Sequence, residues 1–120
     1  MGGEQSITRR NQYAVVYDKG DTRVDSLIVM KSLLNGLSLS RYGFSVSRRV
    51  GKAVTRNRVR RRLREILRQA HLKPGWDIIF IARPAAGSAG YAALRASVLA
   101  LLSRGQLLAD EHEELCVGSD

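Results

Sequence analysis

Arg41–Arg68, RYGFSVSRRVGKAVTRNRVRRRLREILR, is the stretch on which the reading of the chain turns. Its first part alternates. Tyr42, Phe44 and Val46 fall on one side and Gly43, Ser45 and Ser47 on the other, which predicts a strand over 41–49. The serine and glycine side is too small and polar to seal a core. It is either a solvent-facing sheet surface or the floor of a cleft that a flat base or a sugar-phosphate can approach. Val50-Gly51-Lys52 then links to a different periodicity. Val59, Leu63, Ile66, Leu67 and Ala70 recur at helical spacing, predicting an amphipathic helix over 55–70 with Thr55 as its N-cap.

The charge in this stretch is lopsided. Ten arginines and Lys52 stand against Glu65 alone, a local balance of +10 in a chain whose net charge is +9. Everything outside it sums to −1, so the basic character of the molecule is one patch. Around the helix the non-apolar arc holds Arg56, Asn57, Arg58, Arg60, Arg61, Arg62, Arg64 and Arg68. Cations in the first turn oppose the helix dipole by ~0.3–1 kcal/mol each. Like charges four residues apart cost a few tenths of a kcal/mol more. A solvated face normally mixes signs to avoid this repulsion, and here a polyanion would remove it. Nucleic acid is the expected partner, ahead of an anionic membrane or protein surface.

On the N-terminal side, residues 1–8 are expected to be flexible, and Asn11 to Lys19 reads as a short helix stopped by Gly20. Tyr13, Val16 and Tyr17 share one face of it. The two rings are either a half-buried core pair or platforms for exposed bases, each stack contributing ~1–3 kcal/mol. Ser26 to Leu34 reads as a strand, followed by the turn-prone Asn35-Gly36. On the C-terminal side, Lys73-Pro74-Gly75 stops the basic helix. Trp76 to Ala82 is then a strand apolar enough for burial on both faces, and two strands flanking a helix imply a parallel β-α-β unit. Residues 85–90 read as a loop. Tyr91, Leu94, Val98, Leu101 and Leu102 mark a packing helix ending near Gly105, and residues 106–120 are an acidic tail. The order is roughly α-β-β-α-β-α.

The 120 residues fit one domain, and 44% hydrophobic content suffices for a core. No apolar run approaches the ~20 residues of a membrane span, and the N-terminal MGGEQSITRR lacks the apolar core of a secretory leader. Cys116 is the sole cysteine and His71 and His112 the sole histidines, so neither an internal disulfide nor a zinc site is expected, and a reducing cytoplasm is the expected location. Paired carboxylates, a partnered histidine, a nucleophile elbow and a Gly-rich phosphate loop are all missing from the sequence pattern. The sequence pattern thus offers no candidate catalytic side chain.

The ordered set Gly51-Lys52-Ala53-Val54, Arg56-Asn57-Arg58, Arg60-Arg61 and Arg64-Glu65 resembles the signature of the bacterial ribonuclease P protein subunit. The resemblance runs from about Ile7 to Leu102. It takes in GFSVSRR before the signature, the Tyr13, Val16, Tyr17 and Gly20 pattern, and the IIFIARP strand. It implies an α+β fold (an α/β sandwich) over residues 9–105, built around a small mixed sheet with a left-handed β-α-β crossover, against the ~98% right-handed rule. It implies a catalytic RNA subunit as partner and precursor tRNA as substrate, with no membrane and no obligate protein partner. Removal of the 5′ leader is implied to depend on Mg²⁺ used by the RNA-protein holoenzyme, with no cofactor on the protein alone.

By the same resemblance, Arg56, Asn57, Arg58, Arg60, Arg61, Arg62 and Arg64 would bind the catalytic RNA. The leader cleft would be formed by Tyr13, Tyr17, Lys31, Ser45, Ser47, Arg48, Arg49 and Lys52. Tyr13 and Tyr17 stand where phenylalanine is more familiar, and Lys31 where some relatives carry an aromatic. Two rival classes remain. A structural, ribosomal-type RNA-binding protein would use the basic helix without an aromatic cleft. An autonomous nuclease would need a cluster of metal-binding acids, for which the tail carboxylates are the candidates.

Overall fold

The computed structural model describes residues 4–6 and 10–109. In chain order it contains β1 (Glu4–Ser6), α1 (Arg10–Lys19), β2 (Asp21–Val24), β3 (Ile28–Leu34), β4 (Ser40–Ser45), a 3₁₀ turn at Arg48–Val50, α2 (Ala53–Gln69), β5 (Trp76–Ala82), a second 3₁₀ turn at Pro84–Gly87 and α3 (Tyr91–Arg104). The strands form one mixed sheet in the order β1-β4-β5-β3-β2. β1, β4 and β5 run parallel, while β3 is antiparallel to β5 and β2 antiparallel to β3. The class is α+β, as expected. The β4-α2-β5 unit joins neighbouring parallel strands, as the two strands flanking the basic helix require.

β5 shows why its sequence is a continuous apolar run. Ile78, Phe80 and Ala82 face the larger core together with Ile28 and Met30 of β3, against Val59, Leu63, Ile66 and Leu67 of α2 and the apolar side of α3. Ile79 and Ile81 face the other way, where Ile79 and Val16 of α1 are fully buried. Helices thus cover both faces of the sheet, two on one side and α1 on the other. Among the described residues one charged side chain is buried: Asp77, 5% exposed, is held by Arg41 through bonds of 2.8 and 2.6 Å and by Asn35 Nδ2 at 2.9 Å. These bonds pin the Arg41–Asp77 strand pair and the loop after β3 at one point.

Several boundaries differ from the sequence reading. Within the first eight residues, Glu4–Ser6 pair in parallel with Ser40–Tyr42. β2 carries no strand signal in the sequence, because all four of its residues are exposed and its conformation comes from pairing with β3. The strand expected over 26–34 begins at Ile28. The one expected over 41–49 runs from Ser40 to Ser45, because the chain then winds into the 3₁₀ turn, where Ser47 accepts the Arg49 amide at 3.3 Å.

The helix expected to be capped by Thr55 starts two residues earlier, after Lys52. Gly51 has φ +153°, and a Cβ there would lie 2.9 Å from Thr55 Cβ and Cγ2. Thr55 packs under the turn that enters the helix and does not cap it. At the other end, residues 106–109 join the fold: Leu107 is fully buried, and the Lys73 amide donates to its carbonyl at 2.8 Å. Asp110 onward, the acidic tail proper, lies outside the described residues.

Candidate nucleic-acid interface

Two adjacent rows of residues cross the sheet on the α1 side. Register places Gly43, Ile79, Lys31 and Thr22 in one row and Ser45, Ile81, Val29 and Val24 in the next. Helix α1 lies on the first. Tyr13 covers Gly43, whose absent side chain makes the room: a Cβ there would overlap the Tyr13 hydroxyl and stand 2.7 Å from its Cζ. Val16 packs on Ile79. Tyr17, 39% exposed, has the Lys31 ammonium 5.9 Å from its ring centre, and that ammonium donates to Thr22 Oγ1 at 2.8 Å.

The second row stays open beside the helix. Ser45, Ile81 and Val29 are half-buried and Val24 is exposed. This makes a shallow trough with an aromatic wall and a small-residue, apolar floor. Burial and the neighbouring Tyr17 raise the Tyr13 pKa above 10.0, with a hydrogen bond from the Phe44 backbone working the other way.

At the β4 end of the trough the cations collect. Arg48 and Arg49 are exposed on the 3₁₀ turn and Lys52 is exposed just before α2. Along α2, Asn57, Arg61, Arg64 and Arg68 are exposed, while Arg56, Arg58, Arg60 and Arg62 are half-buried. Arg60 reaches Asn57 Oδ1 at 3.1 Å and the Val46 carbonyl at 3.4 Å, so the helical arc and the trough share an edge. Arg58 donates to the Gly87 carbonyl at 3.0 Å and Arg62 to the Ala89 carbonyl at 2.9 Å. Among the described residues, Arg68–Glu65 is the one ion pair on this helix. The remaining positive charge of the helix has no acidic partner among the described residues.

The structure brings most of the sequence-selected residues together, in different settings. Tyr17 presents its ring, whereas Tyr13 is turned onto Gly43 and forms the wall. Ser45 lies on the floor, whereas Ser47 lies past the strand in the turn. Lys31 is engaged beneath Tyr17. Val24, Val29 and Ile81 escape a reading of the sequence because only strand register, not composition, puts them in line with Ser45. Two hollows, about 260 Å³ and about 180 Å³, lie around Leu33 and Leu34, the larger between α1 and the Arg41–Asp77 pair. Among the described residues, no three His, Cys, Asp or Glu side chains come together as a cation site would require. No helix there is long and apolar enough to cross a membrane.

Comparison with known proteins decides the family, since the ribonuclease P family model matches residues 1–106. The chain belongs to the ribonuclease P protein family. It is 46% identical over 120 residues to the ribonuclease P protein component of Dehalococcoides mccartyi, covering 100% of both chains. With the corresponding component of Caldanaerobacter subterraneus it is 36% identical over 108 residues, covering 88% of this chain and 93% of that one. Solved ribonuclease P proteins share the fold. The Staphylococcus aureus structure matches with a TM-score of 0.79 at 27% identity, over 87% of this chain and 97% of that one. The Thermotoga maritima structure matches with a TM-score of 0.76 at 28% identity, over 82% of this chain and 96% of that one.

Proposed function

We propose that the chain is the RNA-gripping subunit of a ribonuclease P holoenzyme that removes the 5′ leader of precursor tRNA in the bacterial cytoplasm. The arc of Arg56, Asn57, Arg58, Arg60, Arg61, Arg62 and Arg64 binds the catalytic RNA. The trough walled by Tyr13 and Tyr17, floored by Ser45 and rimmed by Lys31, Ser47, Arg48, Arg49 and Lys52, holds the single-stranded leader. One observation carries the reading: Arg60 of the helical arc hydrogen-bonds the Val46 carbonyl at the trough's end, so a single rigid edge can hold two polyanions side by side.

In-line hydrolysis of a phosphodiester needs an activated water and neutralisation of developing charge, which Mg²⁺ on the RNA supplies. The chain's own residues do other work. Arginines offset the repulsion between two RNA molecules, and the open row beside Tyr17 keeps the leader extended and unpaired, with a ring to stack on.

The test is binding by the reconstituted complex of precursor tRNAs with and without a leader. Complexes with the chain should prefer the leader-bearing form, and Arg58→Ala should weaken assembly with the catalytic RNA. A structural RNA-binding role would show assembly with no preference for the leader.

A further inference from the structure

The segment after β5 carries no charge between Pro84 and Gly90 and reads from sequence as a plain loop. Its backbone is tied to the basic helix. The Gly87 carbonyl accepts Arg58 Nη2 at 3.0 Å and the Ala89 carbonyl accepts Arg62 Nη1 at 2.9 Å. Among the described residues, Arg58 Nε is buried without a hydrogen-bond partner. Among the described residues, the Gly87 carbonyl is the one hydrogen-bond acceptor that this guanidinium reaches.

Gly87 is itself buried. A Cβ there would overlap the Val50 carbonyl oxygen and stand 3.3 Å from Thr55 Cγ2. The turn is thus wedged against both the 3₁₀ turn that carries Arg48 and Arg49 and the first turn of α2.

From this we infer that Gly87 and the Pro84–Gly87 turn are a positioning element for RNA binding. The absence of a side chain at residue 87 lets the backbone come close enough to anchor Arg58 and Arg62, and the same close approach spaces those arginines from the cations at the trough's end. An anchored guanidinium keeps its remaining N–H groups in a fixed fork for phosphate. A lysine at the same place keeps the charge but not the fork. The inference rests on the proposed binding of the catalytic RNA by α2.

The test uses the full chain and the cognate ribonuclease P RNA, transcribed in vitro, with affinity measured across a salt series. Replacing both arginines, Arg58→Lys with Arg62→Lys, leaves net charge unchanged. Affinity should nevertheless fall roughly tenfold, the effect of removing two directional hydrogen bonds to phosphate. Because lysine still neutralises phosphate, the slope of log affinity against log salt should stay near wild type in this variant. Gly87→Ala should lower affinity with every arginine in place and flatten the slope by about 0.7–0.9 for each phosphate that Arg58 or Arg62 no longer reaches, whereas a purely structural role for Gly87 would lower the melting temperature and leave the slope alone.

Wild-type affinity in the double lysine variant, or wild-type affinity and slope in a folded Gly87→Ala variant, overturns the inference. If Gly87→Ala does not fold, the lysine variant decides. Failure of the wild-type chain to bind the RNA removes the functional reading itself, and this inference with it.

Discussion

Tyr13 rests on Gly43, its ring occupying the space where a side chain on the neighbouring strand would stand. That packing seats α1 on the sheet one row away from Ser45, and so decides that a trough exists at all. With α1 on the next row, Ile81 and Val29 would be core and no floor would remain.

Filling that space should collapse the arrangement. Gly43→Val forces the Tyr13 ring off the sheet, at an overpacking cost of roughly 1–3 kcal/mol. Thermal unfolding should register the destabilisation. In the fraction that remains folded, affinity for a leader-bearing precursor should fall while assembly with the catalytic RNA holds. Unchanged leader affinity would detach Tyr13 from the site.

Tyr17 is the ring that faces outward. Tyr17→Ala should weaken binding of leader-bearing precursors by ~1–3 kcal/mol, the usual contribution of one stacked base. Tyr17→Phe should retain most of it, and a leaderless substrate should show no change with either variant. Equal weakening for both substrates would remove the stacking role.

The Arg41–Asp77 pair is a matter of stability alone. Asp77→Ala leaves Arg41 partly buried beside Asn35 with its carboxylate gone. Breaking a buried pair costs ~3–5 kcal/mol, and with the Arg41 side chain 20% exposed the lower end is expected. Urea unfolding measures it. RNA affinity well below the midpoint should remain near wild type, because the pair lies across α1 from the trough.

Tyr13 also predicts an alkaline limb. Burial favours its neutral phenol in the folded chain, so its folded pKa lies above the ordinary 10.0 and the folded state holds the proton longer than the unfolded one. The stabilisation is fully present below 10.0 and is lost as pH rises past that value toward the folded one. Melting temperature followed through this range should fall for the wild type and fall less steeply for Tyr13→Phe.

What the sequence disclosed, and what it hid, follows from where each signal resides. Val59, Leu63, Ile66 and Leu67 announce α2 because a helix must bury one stripe, and Trp76–Ala82 announces β5 because a strand covered on both faces must be apolar throughout. β2 is invisible in the sequence: Asp21–Val24 has no buried face, and its conformation is owed to β3. Thr55 misleads as a cap because it is the right residue type at a plausible place, while its side chain in fact packs against Gly51.

The site divides in the same way. A cluster of arginines is legible as charge, and Tyr13 and Tyr17 as a pair one turn apart. Register between distant strands is not, so Val24, Val29 and Ile81 could not be lined up with Ser45. Nor could backbone acceptors be read from side-chain composition, which hid the Val46, Gly87 and Ala89 carbonyls beneath the arginines.

The central claim is that this chain grips while an RNA cuts. The direct measurement is cleavage of precursor tRNA at limiting Mg²⁺ by the catalytic RNA alone, by the chain alone and by the two together. The account predicts a mature 5′ end formed efficiently by the pair, poorly by the RNA alone and not at all by the chain. Cleavage by the isolated chain, or no gain on adding it to the RNA, would contradict it.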